Sequence, residues 1–234
     1  MTTSPELASL AYAHAGVALT GWIARPVGTP RAAVALFPTI FNVNPLMEAR
    51  ARRLTDAGYL VLIVDFYGQS VESFEAARPL AERLRADVAY YRARIAAGID
   101  ALRSLPEADG LTVLAIGHCM GGQAVLEAAR AGQDLAGVVS FHGILATDKP
   151  ATPEAIKPRI LICHGDADPL VPREQVTAFW DEMDAVSADW HFHSYARVRH
   201  GFTNSANPAD YDASADRQSW AAMLSFFDEI LGAD

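Results

Sequence analysis

The sequence predicts an α/β fold with a mostly parallel central sheet and helices on both faces. Three features predict it. Short apolar runs recur along the chain and are continuous rather than alternating, the pattern of strands covered on both sides. Between them lie segments whose apolar residues fall at helical spacing. Strand and helix alternate from Ala32 onward, an order that makes successive strands parallel and lays crossover helices over the sheet.

Taken in order, Val17, Leu19 and Ile23 alternate with smaller or polar residues after Gly16, which suggests an N-terminal hairpin over residues 7–25. Residues 32–37 form the first buried strand, and a loop comes next over 38–43. Asn44-Pro45 then supplies a helix cap and a proline at the first helical position, and Gly58 closes that helix. The next buried strand, 59–64, ends at Asp65. Val88, Ile95, Ile99 and Leu102 share one face of a crossover helix over 86–105. Residues 111–116 form a strand, and Val125, Leu126 and Ala129 mark the core face of the helix beyond it. Strands recur at 137–141, 159–163 and 190–195, with a helical stripe of Val176, Phe179, Trp180 and Met183 between the last two. Trp220, Met223, Leu224, Phe227, Ile230 and Leu231 give the strongest helical face, in a C-terminal helix beginning near Tyr211. No internal repeat, low-complexity tract or linker breaks this pattern, so a single domain over 1–234 is expected.

At 51% hydrophobic and 20% charged residues, the 234-residue chain has the composition of an ordinary globular protein. Its net charge of -9 leaves no basic stripe to neutralise phosphates, which argues against a nucleic-acid partner. Two cysteines, Cys119 and Cys163, are too few for a disulfide framework. Cys163 closes the apolar run Ile160-Leu161-Ile162 and reads as an inert buried thiol. No basic region precedes an apolar stretch at the N-terminus, and no run is long enough to cross a bilayer. A cytoplasmic protein with no membrane partner is expected, as a monomer or small homo-oligomer.

The stretch Ala115-Ile116-Gly117-His118-Cys119-Met120-Gly121-Gly122 joins a buried strand to an amphipathic helix. This is the layout of the nucleophile elbow of α/β-hydrolases, in which a sharp turn holds one reactive side chain above the sheet. Cys119 is the tip, flanked by Gly117 and Gly121 where a Cβ would collide with neighbouring backbone. The helix starting just after it presents unpaired N–H groups and a positive end, which favour thiolate over thiol.

A cysteine nucleophile needs a base to move its proton, and the base needs a partner that fixes its tautomer. In α/β-hydrolases these occur along the chain in the order nucleophile, acid, histidine. After the strand ending at Cys163 comes His164-Gly165-Asp166-Ala167-Asp168-Pro169-Leu170-Val171-Pro172, and after Tyr195 comes Arg197-Val198-Arg199-His200-Gly201-Phe202. His200 is the expected base and Asp168 its partner. Asp166 competes with Asp168 and reads equally as a turn cap. His118 and His164 flank the site as packing or supporting groups, and His142 ends a strand near the pocket. His14 lies in the hairpin, and His191 and His193 are polar positions on an edge strand. No pair has metal-ligand spacing with acidic neighbours, so no metal or other cofactor is expected. Donors for an oxyanion are expected from the Met120 N–H and from the loop Thr39-Ile40-Phe41-Asn42.

These motifs resemble those of the dienelactone hydrolase family. The resemblance is carried by Gly117-His118-Cys119-Met120-Gly121-Gly122, His164-Gly165-Asp166-Ala167-Asp168 with Val171-Pro172, His200-Gly201-Phe202, Phe41-Asn42-Val43-Asn44, and Asp65-Phe66-Tyr67-Gly68. It implies an α/β-hydrolase fold, a Cys119, His200 and Asp168 triad, and an oxyanion hole from the Ile40 and Met120 N–H groups. Thr39 stands where the family's best-known members place a glutamate that controls the thiol. Asn204 stands where they place an arginine that grips the substrate carboxylate. A hydroxyl or amide does not replace a charge in either role. Thr39, Phe66, Tyr67, Phe141, Phe202 and Asn204 are candidate pocket residues, with core packing the competing role for the aromatic ones.

The expected function is hydrolysis of a small lactone or ester through a thioester on Cys119, with that small molecule as partner. The alternative is a ligand-binding or redox-sensing protein that kept the fold and an exposed thiol without turnover.

Overall fold

The unbroken apolar runs become strands whose every residue is buried, which requires cover on both faces. In the computed structural model, which describes residues 7–232, these are β3 (Ala33–Phe37), β4 (Leu60–Ile63) and β6 (Gly137–Phe141). The hairpin of β1 (Ala8–His14) and β2 (Val17–Ala24), together with β5 (Val113–His118), β7 (Arg159–Gly165) and β8 (Trp190–Tyr195), brings the described strands to eight. Their order is β1-β2-β4-β3-β5-β6-β7-β8. β1 and β8, at the ends of that order, alternate between exposed and half-buried positions. The β1–β2 and β2–β4 pairings are antiparallel, whereas β3–β4, β6–β7 and β7–β8 are parallel.

The six described helices are α1 (Pro45–Asp56), α2 (Phe74–Arg85), α3 (Val88–Arg103), α4 (Met120–Arg130), α5 (Arg173–Ala185) and α6 (Ala213–Leu231). Asn44 caps α1, its side chain accepting from the N–H groups of Leu46 at 3.0 Å and Met47 at 3.1 Å. Asp87 and Asp212 cap α3 and α6 in the same way. These caps place α3 two residues later than 86 and α6 two residues later than Tyr211, because an aspartate accepts from the second and third residues beyond it. The sequence pattern shows no counterpart to α2. Pro79 lies inside it and removes one backbone donor, so the segment reads as broken, yet Ser73 caps it and Ala77, Ala81 and Leu84 bury one face. No described helix is long and apolar enough to cross a membrane. The N-terminal stretch expected to lack a signal segment, residues 1–6, lies outside the described residues.

The chain divides after Ala115 into two compact units. In the first, the buried Asp65 carboxylate gathers three segments. Oδ2 accepts from the Thr20 N–H at 2.9 Å, and Oδ1 accepts from Asn42 Nδ2 at 2.7 Å and from the N–H groups of Tyr67 and Gly68 at 2.9 Å. The Tyr12 hydroxyl accepts from the Asp65 N–H and donates to its carbonyl, both at 3.0 Å.

In the second unit, Arg130 is buried and paired with Glu127 at 3.0 Å and Glu182 at 2.7 Å, and it also donates to the Leu145 carbonyl. Glu182 accepts from the Ala151 N–H, and Gln175 Oε1 accepts from the N–H groups of Leu145 and Ala146. The stretch after β6 is thereby tied to α4 and α5 by the buried Arg130 and the half-buried Gln175 and Glu182.

Candidate active site

The geometry of the bend between β5 and α4 is set by Gly117. A Cβ there would strike the main chain of Gly121 and lie 2.7 Å from the Gly122 nitrogen, so α4 begins this close to the strand only because residue 117 has none. Cys119 occupies the N-terminal cap of α4 with φ 55 and ψ -113, a strained conformation for a residue with a side chain. Its N–H is held by the Phe141 carbonyl at 3.0 Å and by His142 Nδ1 at 3.1 Å. The thiol is half-buried and free.

The loops after β7 and β8 are laced together. The Asp166 N–H donates to the Tyr195 carbonyl and the Ala167 N–H to the Val198 carbonyl, each at 2.9 Å. Gly165 permits this contact, since a Cβ there would strike the Val198 carbonyl and lie 2.9 Å from the Arg199 oxygen. The lacing brings His200 onto Asp168. His200 Nδ1 donates to Asp168 Oδ2 at 2.7 Å, and His200 Nε2 lies 3.1 Å from Cys119 Sγ. The Asp168 side chain is wholly buried, while that of His200 is 19% exposed. Asp168 Oδ1 accepts from the Leu170 N–H at 2.8 Å. Asp166 points elsewhere and pairs with Arg173 at 2.9 Å.

Burial disfavours a charged His200 ring, but the hydrogen bonds to Asp168 and Cys119, with the charges of both, outweigh it. The imidazole is pushed up to about 10. His164 goes the other way, held below the usual histidine range by burial despite the nearby Asp168 and Asp166 carboxylates. Burial pushes the Cys163 thiol up to about 12, although the Tyr195 hydroxyl partly offsets it. Of the two sulfurs, only Cys119 is accessible and next to a base.

The structure also places the remaining sequence-predicted residues. Met120 is buried and opens α4. Thr39 and Ile40 lie in the loop after β3 within the first unit, where Thr39 Oγ1 accepts from the Phe41 N–H and the Tyr67 hydroxyl donates to the Ile40 carbonyl at 3.2 Å. Phe66, Phe141 and Phe202 are fully buried. Phe141 stacks on His118 with centroids 4.6 Å apart, and Phe202 stands edge-on to His142 at 5.3 Å. The Asn204 side chain closes a turn by accepting from the Ala206 N–H at 3.1 Å. Among the described residues no group of three or more His, Cys, Asp or Glu side chains is placed to hold a metal ion.

One residue beside the site is not signalled by the sequence pattern. Thr203 is buried, and its hydroxyl lies 2.8 Å from His142 Nε2 and 3.1 Å from His118 Nδ1. Nothing in the sequence marks it beyond its place just after His200-Gly201-Phe202.

Comparison with known proteins agrees with this architecture. The chain is 33% identical to a dienelactone hydrolase-like promiscuous phosphotriesterase, P91, from metagenomic libraries, with a TM-score of 0.90 covering 97% of this chain and 99% of that one. It is 28% identical over 226 residues to a Bradyrhizobium protein described as "Probable 2-oxo-3-(5-oxofuran-2-ylidene)propanoate lactonase", covering 89% of this chain and 88% of the relative. An acylaminoacyl peptidase of Pyrococcus horikoshii, 16% identical with a TM-score of 0.73 over 97% of this chain and 42% of its own, shares the fold alone. The profile of the Dienelactone hydrolase family matches residues 19–231. The chain therefore belongs to the dienelactone hydrolase family, on an α/β-hydrolase fold, and is a hydrolase of carboxylic esters or lactones.

Proposed function

We propose that the chain hydrolyses a small lactone or ester through a thioester on Cys119, with His200 as proton carrier and Asp168 as the group that orients it. The observation that carries this reading is the continuous contact from Asp168 Oδ2 through His200 to Cys119 Sγ, at 2.7 and 3.1 Å. With His200 pushed up to about 10, its imidazole carries a proton at neutral pH, and the sulfur beside it is the nucleophile. The sulfur attacks the carbonyl carbon, and the oxyanion that forms is met by the Met120 N–H at the start of α4. Collapse breaks the ester C–O bond, and the departing alkoxide takes the proton from His200 Nε2. His200, now neutral, takes a proton from water as the hydroxide adds to the thioester carbon; the C–S bond then breaks, releasing the acid and leaving the Cys119 sulfur beside a protonated His200. The family match runs across both compact units, from 19 to 231, which supports reading them as one hydrolase domain.

Cys119→Ala tests the reading. Turnover of an activated aryl ester should fall by at least about 10³-fold while the urea unfolding curve is retained. Undiminished turnover would remove the proposal, and release of one equivalent of alcohol followed by nothing from the wild-type protein would favour the ligand-binding alternative. The phosphotriesterase relative motivates a second reading, in which the same sulfur attacks phosphorus. Release of nitrophenol from an aryl phosphotriester by the wild type and not by Cys119→Ala would support it.

A further inference from the structure

Beside the Cys119 and His200 pair lies a second chain of polar contacts that the hydrolysis itself does not use. It runs from the Cys119 N–H to His142 Nδ1 at 3.1 Å, from His142 Nε2 to Thr203 Oγ1 at 2.8 Å, and from Thr203 Oγ1 to His118 Nδ1 at 3.1 Å. His118, His142 and Thr203 are all buried. We propose that His142, locked by Thr203 in one neutral tautomer, is a positioning residue that clamps the main chain of Cys119 and so holds its sulfur on His200. The proposal rests on the reading of Cys119 as nucleophile.

The donor and acceptor assignment comes from the first link. The Cys119 backbone N–H, shared with the Phe141 carbonyl at 3.0 Å, can only donate, so His142 Nδ1 at 3.1 Å must present its lone pair. In a neutral ring the hydrogen then sits on Nε2 and donates to Thr203 Oγ1. The threonine hydroxyl, having accepted there, is free to donate to His118 Nδ1. Every hydrogen therefore points away from the nucleophile toward His118. Were the proton on Nδ1 instead, two N–H groups would face each other across 3.1 Å at the tip of the bend.

The clamp has something to restrain. Cys119 sits at φ 55 and His142 at φ 42, conformations in which residues with side chains persist only when their surroundings over-determine them. His142 is turned back by this φ at the end of β6, where its own N–H donates to the Cys163 carbonyl at 2.9 Å. Among the groups that face its ring are His118, with centroids 5.8 Å away, His200 at 5.1 Å, Phe202 at 5.3 Å, Thr203 and the Cys119 main chain. His200 is the group expected to carry positive charge, so a neutral His142 is also the one that sits beside it without repulsion.

Thr203→Val keeps the shape and deletes the acceptor of His142 Nε2, whereas Thr203→Ser keeps the hydroxyl. The first measurement is the pH profile of Cys119 alkylation by iodoacetamide, read by mass spectrometry on protein shown folded by urea titration. The second is kcat/KM for an activated aryl ester. Thr203→Val should shift the alkylation inflection upward by about one pH unit and lower kcat/KM about tenfold, mostly in kcat, the loss expected of one well-placed hydrogen bond. Thr203→Ser should restore both to within about threefold. Should Thr203→Val not fold, His142→Ala against His142→Asn decides, since the asparagine places an acceptor near the Nδ1 position and tolerates positive φ. An alkylation profile that either deletion leaves unmoved overturns the proposal, because a role in stability alone would lower the unfolding midpoint without touching it. The alkylation readout does not depend on turnover, so a failed Cys119 nucleophile reading would show in Cys119→Ala and leave this result standing.

Discussion

Replacing Asp168 by asparagine keeps the shape of the side chain and removes one charge, and the hydrogen bonds around it specify the consequence. Oδ1 already accepts from the Leu170 N–H at 2.8 Å. The amide therefore keeps its oxygen there and turns its NH2 toward His200 Nδ1, which now faces a donor and must offer a lone pair. In the neutral ring left after acyl transfer the hydrogen then sits on Nε2, the nitrogen 3.1 Å from Cys119 Sγ, where a base for the attacking water is wanted. A carboxylate about 4 Å from the imidazolium charge that returns when His200 deprotonates water is worth roughly 4 kcal/mol at an effective dielectric of about 20. That corresponds to about three powers of ten in rate, and the inverted tautomer takes the expected loss toward about 10⁴-fold. The assay is kcat/KM for an aryl ester near pH 8, with urea titration to show that folding survives. Asp166→Asn is the control: its partner Arg173 is highly exposed, so the urea midpoint should hardly move and turnover should change by less than about twofold. Asp168→Asn within tenfold of the wild type, or Asp166→Asn as the more damaging of the two, would refute this role for Asp168.

Three further outcomes are expected. Gly117→Ala forces a methyl group against the Gly121 and Gly122 main chain, which has no side chain to yield, and should cost about 1–3 kcal/mol in urea together with about 10²-fold in turnover; a fully active, equally stable variant would contradict it. Iodoacetamide at pH 8 should label the folded protein once, at Cys119, because burial pushes Cys163 up to about 12; a second label before unfolding would be the opposite result. His200 binds its proton more tightly folded than unfolded, so its contribution to stability is whole below about pH 6.5, shrinks as pH rises and is lost past about 10. The urea midpoint of the wild type should therefore exceed that of His200→Gln most near pH 6 and converge on it toward pH 10, and a gap that widens with pH would reverse the assignment.

The elements most legible in the sequence are those set by continuous burial or by a cap. β3, β4 and β6 carry unbroken apolar runs, and Asn44-Pro45 marks the start of α1 by side-chain chemistry alone. α2 is hidden because Pro79 argues against a helix locally, and only its cap and its buried alanine face outweigh that. Around Cys119 the motif order identifies which residues to compare, but Asp166 and Asp168 both come after β7, and no local signal says which carboxylate turns inward. That depends on Arg173, seven residues on, taking the first, and on the loop after β8 lying over Gly165 to meet the second. Thr203 and its contact with His142 are beyond reach for a related reason. Their roles depend on a positive φ at the end of β6 and on a hydroxyl placed 61 residues away, and neither leaves a pattern in composition or spacing.

The Asp65 carboxylate has a bearing on how this protein could diversify. One side chain fixes a position on β2 and the segment after β4 through main-chain donors, and main-chain donors are indifferent to which side chains they carry. The stretch beyond Gly68 is consequently anchored at its root while Gln69 and Ser70 face solvent, free to exchange for other residues without loosening the scaffold. Change in that exposed stretch leaves the mooring untouched.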